Sequence, residues 1–193
     1  MPKISDERRE ERRGQILDAA VRCFSRSGYH RTSMTDIIAE SGLSSGAIYG
    51  YFRGKQEIIH AVAHSVMQGR FGELNSLSED RVLTPAQIAS VLIGGLRASL
   101  PTTMLVQVWA EATIDAELRA MFQEVAGTVM GQVSGLLERW ATEYPERVDG
   151  DPAGWARRST PVFVAVVMGF IVQSTLVDEF DGDAFVAALP GVL

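Results

Sequence analysis

The sequence lacks the features of a secreted, fibrous or disordered protein. It has a single cysteine, Cys23, so no disulfide bond can form within the chain. Its first residues are rich in arginine and glutamate, where a secretory signal would need an apolar stretch. The chain has only seven prolines, and 46% of its residues are hydrophobic and 22% are charged. This composition predicts a folded protein, and the absent signal and disulfides favour the cytoplasm.

The chain also has no overall surplus of positive charge. Its formal net charge is -6 at pH 7. Residues 1–60 hold ten Lys and Arg against eight Asp and Glu, whereas the remaining residues hold eight against sixteen. This asymmetry is typical of a module that meets phosphate joined to one that does not, although the surplus in the first part is too small to decide the matter alone.

Charge is absent altogether from Ser159 to Val177, a run of nineteen residues that reaches the length of a membrane span. The run contains polar residues such as Thr160 and Gln173, acidic residues follow it, and no second span accompanies it. These features disfavour a membrane helix. We expect instead a helix that is buried on most of its surface, in a core or against a second subunit.

Apolar residues recur at three- and four-residue spacing, and no segment shows the alternation of a strand. The pattern predicts an all-α chain of nine helices, with the polar residues 74–83 forming a loop. In the N-terminal part, a first helix over residues 10–27 ends at Gly28, and Ser33 caps a short second helix. Gly42 can adopt the left-handed conformation of a tight turn, and Ser44 can cap a third helix short enough to lie in the major groove.

This part of the chain resembles the DNA-binding signature of the TetR family of transcriptional regulators. One block carries the resemblance, residues 32–57, which read TSMTDIIAESGLSSGAIYGYFRGKQE. The turn glycine, the Tyr-x-Tyr-Phe and the following lysine are in register, while Gly54 replaces the Ser or Asn usually found before that lysine. The resemblance implies an all-α fold, with a helix-turn-helix DNA-binding domain at residues 1–55 and a helical ligand-binding and dimerisation domain at residues 56–193.

The resemblance also implies the function. We expect a homodimeric repressor that binds a pseudo-palindromic operator in double-stranded DNA and is released by a small-molecule effector. Two copies are needed because two recognition helices must reach successive major grooves of a two-fold symmetric site. No cofactor is expected. Activation in place of repression stays open, as does a ligand-independent DNA-binding protein that recruits a partner through its C-terminal domain.

The DNA contacts are carried over from positions that match the family's motif. Residues expected at or near the major groove are Ser44, Ser45, Gly46, Ala47, Tyr49 and Gly50. Residues expected at phosphates are Thr32, Ser33, Thr35, Lys55 and the hydroxyl groups of Tyr49 and Tyr51. The third helix has no Arg, Lys, Asn or Gln for a bidentate base contact, so DNA shape is expected to contribute to sequence preference. Four arginines could add a basic arm, or form a solvated helix start among neighbouring glutamates: Arg8, Arg9, Arg12 and Arg13.

The C-terminal part offers two further sets of candidates. Residues that could line a ligand cavity are Met104, Gln107, Trp109, Glu111, Phe122, Met130, Phe163, Met168 and Gln173. Methionine and aromatic residues at this spacing are also the ordinary filling of a helical bundle. In the family the last two helices pack against their twins, which implies a dimer interface at Val164, Val167, Phe170, Ile171, Phe185 and Leu189.

No convergent catalytic set is found, so we expect neither an enzyme nor catalytic residues. His60 and His64 lie four positions apart near Glu57 and could bind a metal. Two histidines without a clear third ligand are more typical of packing, and no metal site is expected. Cys23 falls on the buried stripe of the first helix, which favours an inert core thiol over a nucleophile.

Overall fold

A computed structural model describes residues 6–193 and, within them, shows helices and no strand. The first five residues of the predicted DNA-binding domain lie outside the described residues. The prediction of an all-α fold is confirmed. The helices are α1 (Asp6–Arg31), α2 (Met34–Ser41), α3 (Ser45–Tyr49), α4 (Lys55–Leu77), α5 (Pro85–Ser99), α6 (Thr102–Ala112), α7 (Ala116–Glu143), α8 (Pro152–Leu176) and α9 (Gly182–Ala188).

The chain packs into two compact units, each built from two separate stretches of sequence. The first unit runs up to Ser65 and adds Thr103–Met121, so it contains α1, α2, α3, the start of α4 and almost all of α6. The second unit contains Val66–Thr102 and Phe122–Leu193. Helices α4 and α7 continue from one unit into the other. The domain boundary at residue 55 stays a prediction.

In the first unit, α1 supplies the surface on which the other helices pack. Its apolar residues recur at helical spacing and are buried: Ile16, Leu17, Ala19, Ala20, Cys23 and Phe24. Gly28 then adopts a φ of 77°, which side chains other than glycine rarely adopt, and interrupts the helix. The chain is therefore redirected where the sequence predicts the helix to stop.

Helix α4 is longer than the sequence predicts, because the segment expected to be a loop from residue 74 is helical as far as Leu77. Phe71 and Leu74 are buried, with Leu74 fully so. These two side chains extend the apolar stripe of α4 by one turn, and their burial outweighs the polar residues around them. The loop begins after Leu77.

Helix α8 buries only one of its sides, although it is apolar all round and most of its length carries no charge. One side is buried within the second unit, by Thr160, Phe163, Val167, Phe170 and Ile171. The opposite side is exposed, with Val162 at 65% and Leu176 at 67% of full exposure. By length and composition α8 is able to cross a membrane, as are α5 and α6 if they count as one bent span; no other helix of residues 6–193 meets this test.

Candidate nucleic-acid interface

Local caps fix the geometry of α2, the turn and α3. The Ser33 hydroxyl accepts a hydrogen bond from the Asp36 amide at 3.2 Å, and the Asp36 carboxylate accepts one from the Ser33 amide at 2.8 Å. Helix α2 ends at Gly42, whose φ of 68° is left-handed. The Ser44 hydroxyl accepts from the Ala47 amide at 3.3 Å and starts α3. Both helices of the motif therefore begin where their own side chains satisfy the free amides.

Helix α3 has one buried residue and an open face. Ile48 is fully buried and anchors the helix, while Tyr49 is 51% exposed. The other residues predicted near the groove are exposed or half-exposed, namely Ser44, Ser45, Gly46, Ala47 and Gly50. The helix has no acidic residue in its first turn and none at any of its five positions. Small side chains and a single phenol allow such a helix to approach a DNA groove closely.

The N-terminus of α2 forms a second exposed feature of this surface. Ser33 and Thr35 are exposed there, and helix N-termini favour phosphate through their free amides and partial positive charge. The amide and hydroxyl of Ser33 donate to Asp36 and hold the pKa of that carboxyl below its ordinary value. The negative charge of Asp36 is thus committed to the cap. Thr35 remains placed for phosphate contact, whereas both donors of Ser33 are engaged by Asp36 in the cap.

Polar contacts help to hold α2 against α1. Arg22 donates to Glu40 at 2.7 Å, and both terminal nitrogens of Arg26 donate to the same carboxylate at 3.2 Å. These hydrogen bonds hold the pKa of Glu40 below its ordinary value. The amide of the Gln15 side chain donates to the Ser41 carbonyl at 2.9 Å. Because these partners belong to α1, the orientation of the motif depends on that helix.

Two residues predicted to contact phosphate are hydrogen-bonded within the chain. Thr32 is 2% exposed, and its hydroxyl donates to the Gly28 carbonyl at 2.8 Å. The Lys55 ammonium donates to the Tyr29 carbonyl at 2.7 Å, and to the His30 carbonyl at 3.3 Å. Burial lowers the pKa of Lys55. Thr32 and Lys55 therefore fasten the end of α1, and their contact with phosphate stays a prediction.

The end of α1 also meets α6. The Tyr29 amide donates to the Gln107 side chain at 3.2 Å, and the Lys55 ammonium lies 4.3 Å from the centre of the Tyr29 ring. We call Tyr29, Lys55 and Gln107 the α1–α6 junction. Burial, with a smaller effect of nearby acids led by Asp115, raises the pKa of Tyr29 to about 12. A methyl group at Gly28 would lie 2.5 Å from the Gln107 oxygen, so it would displace the side chain that accepts from Tyr29.

Two of the four arginines considered as a basic arm lie beside the end of the motif. The Arg9 guanidinium is 6.0 Å from the centre of the Tyr51 ring, and that of Arg13 is 5.9 Å from the centre of the Phe52 ring. Arg13 also pairs with Glu10 at 3.1 Å. Tyr51 is half-buried. These contacts favour a basic patch next to α3, formed by Arg9 and Arg13 on the first turns of α1.

The residues predicted to line a ligand cavity are divided between the two units, and their role stays a prediction. Met104, Gln107, Trp109 and Glu111 belong to the first unit, where Gln107 serves the α1–α6 junction. The other five belong to the second unit: Phe122, Met130, Phe163, Met168 and Gln173. A cavity in the second unit is lined by none of the nine. Sequence reasoning missed Arg97 at that cavity, since nothing local distinguishes it from other exposed arginines.

Most of the residues predicted for the dimer interface are already buried by their own chain. Val167, Phe170, Ile171 and Leu189 are buried by their own chain, at 7%, 1%, 2% and 2% exposure. Val164 and Phe185 are half-buried. A second copy cannot bury side chains that the chain already covers. The apolar side chains left exposed on α8 lie on its opposite face: Val162, Ala165, Val172 and Leu176.

The candidate metal ligands and the cysteine have ordinary surroundings. The rings of His60 and His64 are 6.4 Å apart, and no group of three or more potential ligands occurs within residues 6–193. Cys23 is buried, and its thiol lies 3.6 Å from the Asp36 carbonyl. Burial, more than any nearby charge, raises the pKa of Cys23. A raised pKa keeps the thiol protonated, which agrees with an inert core residue.

Comparison with known proteins identifies the segment that contains α2, the turn and α3. Residues 16–62 match the family described as bacterial regulatory proteins, tetR family. The transcriptional repressor Rv1474c of Mycobacterium tuberculosis is 41% identical over 63 residues, which are 33% of this chain and 34% of that protein. This chain spans between 34% and 51% of the length of the first curated relatives that it matches. Their similarity therefore concerns only part of each protein.

Solved structures extend the likeness to the whole fold. A protein from Syntrophomonas wolfei, assigned to the TetR family of transcriptional regulators, superposes with a TM-score of 0.77 at 16% identity, over 95% of this chain and 93% of that one. The regulator FadR of Bacillus subtilis, solved with stearoyl-CoA, superposes with a TM-score of 0.69 at 18% identity, over 91% of this chain and 96% of that one. At these identities the likeness shows the fold alone.

Proposed function

We propose that this chain is a regulator of the tetR family, whose model matches residues 16–62, and that it represses transcription by binding a pseudo-palindromic DNA operator as a homodimer in the cytoplasm. The observation that carries the proposal is the open face of α3. Ile48 fixes that helix from below, while Ser45, Gly46 and Tyr49 face outward. Such a face suits the major groove, where small side chains admit the helix and Tyr49 meets a phosphate or a base edge.

The phosphate contacts are assigned to the surface around α3. Thr35 at the N-terminus of α2 is exposed, and Arg9 and Arg13 lie beside the last residues of the motif. These groups flank the groove-facing helix on the same unit. Most of the affinity should come from phosphate, because α3 has no side chain for a bidentate base contact.

We assign the dimer interface to the exposed side of α8. Val162, Ala165, Gly169, Val172 and Leu176 recur at alternating three- and four-residue spacing, which forms a continuous stripe along one helix face. The stripe carries no charge, and Val162 and Leu176 are about two-thirds exposed. A second copy is the occupant we propose, since a two-fold DNA site requires two α3 helices and a like stripe packs against itself.

Release by a small molecule is the remaining part of the proposal. FadR, which shares the fold, was solved with stearoyl-CoA, so the helical architecture accommodates a ligand in that protein. In this chain α4 runs from the first unit into the second, and Gln107 of α6 accepts a hydrogen bond from the end of α1. A ligand that favours one spacing of the two DNA-binding units would act through α4, within the limit set by its differential affinity for the two states.

The first experiment selects bound sequences from random DNA with the purified full-length protein. Affinity for the selected sequence is then measured by fluorescence anisotropy at two salt concentrations. We expect a pseudo-palindromic site whose binding weakens as salt rises. Tyr49→Ala should weaken specific binding by about tenfold or more, as loss of a well-placed contact does.

A matched control separates DNA contact from general damage. Tyr144 is another partly exposed tyrosine, at 39%, and it packs against Trp140 in the second unit. Tyr144→Ala should therefore leave DNA affinity unchanged. If no sequence is enriched, or if both tyrosine substitutions have the same effect, the proposal fails. If DNA binds but no compound in a metabolite library shifts the melting temperature, the ligand-independent alternative replaces the repressor mechanism.

A further inference from the structure

A cavity in the second unit has not been assigned a role so far. Its volume is about 290 Å³, and it lies where the end of α5 and the next turn meet the second half of α8 and the segment before α9. Its lining residues are Arg97, Leu100, Pro101, Thr102, Phe170, Ser174, Phe180 and Gly182. A space of this size holds a small organic molecule.

One wall of the cavity is aromatic. The rings of Phe170 and Phe180 meet edge to face, 5.5 Å apart, and Phe185 lies 5.4 Å from Phe170 in a similar arrangement. Phe170 is almost completely buried, which fixes this wall in place. A methyl group at Gly182 would lie 3.3 Å from the Phe170 ring, so glycine lets the chain come close to it. The wall is suited to the apolar body of a ligand.

Arg97 supplies the positive charge of the cavity. Its guanidinium donates to Asp183 at 2.7 Å and lies 5.9 Å from the centre of the Phe170 ring. The side chains of this ion pair are 47% and 87% exposed, so the pair is held weakly. Within the described residues Arg97 makes no second hydrogen bond, although a guanidinium has five N–H groups. Arg97 is therefore available to an additional or competing anion.

Thr102 adds a neutral hydroxyl to the lining, and the other polar groups nearby are already committed or point to solvent. The Ser174 hydroxyl donates to the Phe170 carbonyl at 2.8 Å. Asp181 accepts from the amides of Asp183 and Ala184, at 3.0 and 2.9 Å, and so caps α9. Asp178 and Glu179 are exposed. Arg97 remains the charged donor that faces a molecule in the cavity.

We propose that this cavity binds a small carboxylate with an apolar body, and that the carboxylate takes Arg97 from Asp183. The ligand group would be partly shielded by Phe170 and Phe180, where a charge-assisted hydrogen bond is stronger than one to the exposed Asp183. A cationic ligand would face Arg97 and be repelled. Since Asp183 lies in the first turn of α9, exchange of the partner also removes the ion pair that ties this turn to α5, while the cap from Asp181 stays.

The test uses three probes that share a benzyl group and differ in charge: phenylacetate, phenylacetamide and phenethylammonium. Binding to the full-length protein is measured by isothermal titration calorimetry in the absence of DNA. We expect phenylacetate to bind at least about tenfold more tightly than the amide, as a charge-assisted bond requires, and phenethylammonium to bind least.

Four variants separate recognition of the carboxylate from structural support of the cavity. Arg97→Gln should reduce phenylacetate affinity to that of phenylacetamide while leaving the amide unchanged, and Arg97→Lys should restore part of the preference for the carboxylate. Asp183→Asn should tighten phenylacetate binding, because it removes the competing anion. Ser174→Phe should block all three probes by filling the cavity. Equal affinity for acid and amide, insensitivity to Arg97→Gln, or no binding at about 10 mM would each overturn the proposal.

Binding of a carboxylate in this cavity does not depend on the proposed function, but its role in releasing DNA does. The two proposals can therefore be disproved separately. If phenylacetate binds through Arg97 but leaves the anisotropy of the DNA complex unchanged, the cavity assignment stands and release by this ligand class fails. If the protein binds its operator but no probe prefers the carboxylate, the cavity assignment fails and the DNA-binding proposal stands.

Discussion

At the scale of single residues, several polar side chains of the first unit find their partners within the chain. Asp36 serves the start of α2, and Lys55 serves the end of α1. The first could be foreseen, because a Ser-x-x-Asp sequence predicts its own cap. The second could not, because the partner carbonyls of Lys55 lie more than twenty residues earlier and are brought near by packing. A motif gives the position of a lysine but not its contacts.

The cap formed by Asp36 predicts a pH dependence. Its pKa is depressed in the folded protein, so the carboxylate stabilises the fold above its ordinary pKa of about 3.9 and loses this effect as the pH falls further. Asp36→Asn should therefore lower the urea midpoint equally at pH 7 and pH 5, and the difference from the wild type should shrink below about pH 4. A difference that grows on acidification would contradict this origin of the stabilisation.

At the scale of helices, caps and apolar periodicity define most of the architecture in advance. The sequence predicts the nine helices, and the interruption at Gly28 falls at the expected residue. The face that α8 buries could not be predicted in the same way. That helix is apolar on all sides, so its periodicity cannot tell the side buried by the chain from the side left exposed. The cavity beside Arg97 was equally hidden, because it forms between segments about seventy residues apart.

The contact between α2 and α1 allows the apolar and the ionic contributions to the free energy of unfolding to be compared. Ile37 is fully buried between these helices, whereas Glu40 accepts hydrogen bonds from two largely exposed arginines. Ile37→Ala should lower the free energy of unfolding by about 2–5 kcal/mol, since it leaves a cavity in the core. Glu40→Ala should cost clearly less, because exposed ion pairs contribute little.

Urea denaturation of the two variants, followed by circular dichroism at 222 nm, makes this comparison. The destabilisation caused by Glu40→Ala should become smaller at high salt, because the wild-type ion pairs are then screened. The destabilisation caused by Ile37→Ala should not change with salt. An equal or larger cost for Glu40→Ala would show that ion pairs hold α2 in place.

At the scale of the whole molecule, the exposed stripe on α8 determines the state of assembly that we propose. Leu176→Glu introduces a charge at a position that is 67% exposed in the single chain, so the chain should still fold. In a dimer the two charges would meet at the interface, and the protein should become monomeric. Operator affinity should then fall by about tenfold or more, because each copy binds one half-site alone.

Analytical ultracentrifugation of Leu176→Glu measures this directly. The matched control is Ile114→Glu, which alters an apolar residue of the first unit that is 78% exposed. We expect the control to keep the mass of a dimer. Two variants of equal mass, or a Leu176→Glu protein that remains dimeric, would place the contact between copies elsewhere on the chain.

The division of each unit between two stretches of sequence has a consequence for synthesis. As the chain leaves the ribosome, α1, α2 and α3 emerge long before Thr103–Met121, the stretch that completes their unit. Until then Tyr29 has no Gln107 to receive its amide hydrogen bond, and the nascent DNA-binding surface lacks one of its supports. The same dependence limits recombination between genes. A fusion joined at residue 55 would pair one parent's α1 with the other parent's α6. Such chimeras should bind DNA only where both sides of the α1–α6 junction come from the same parent.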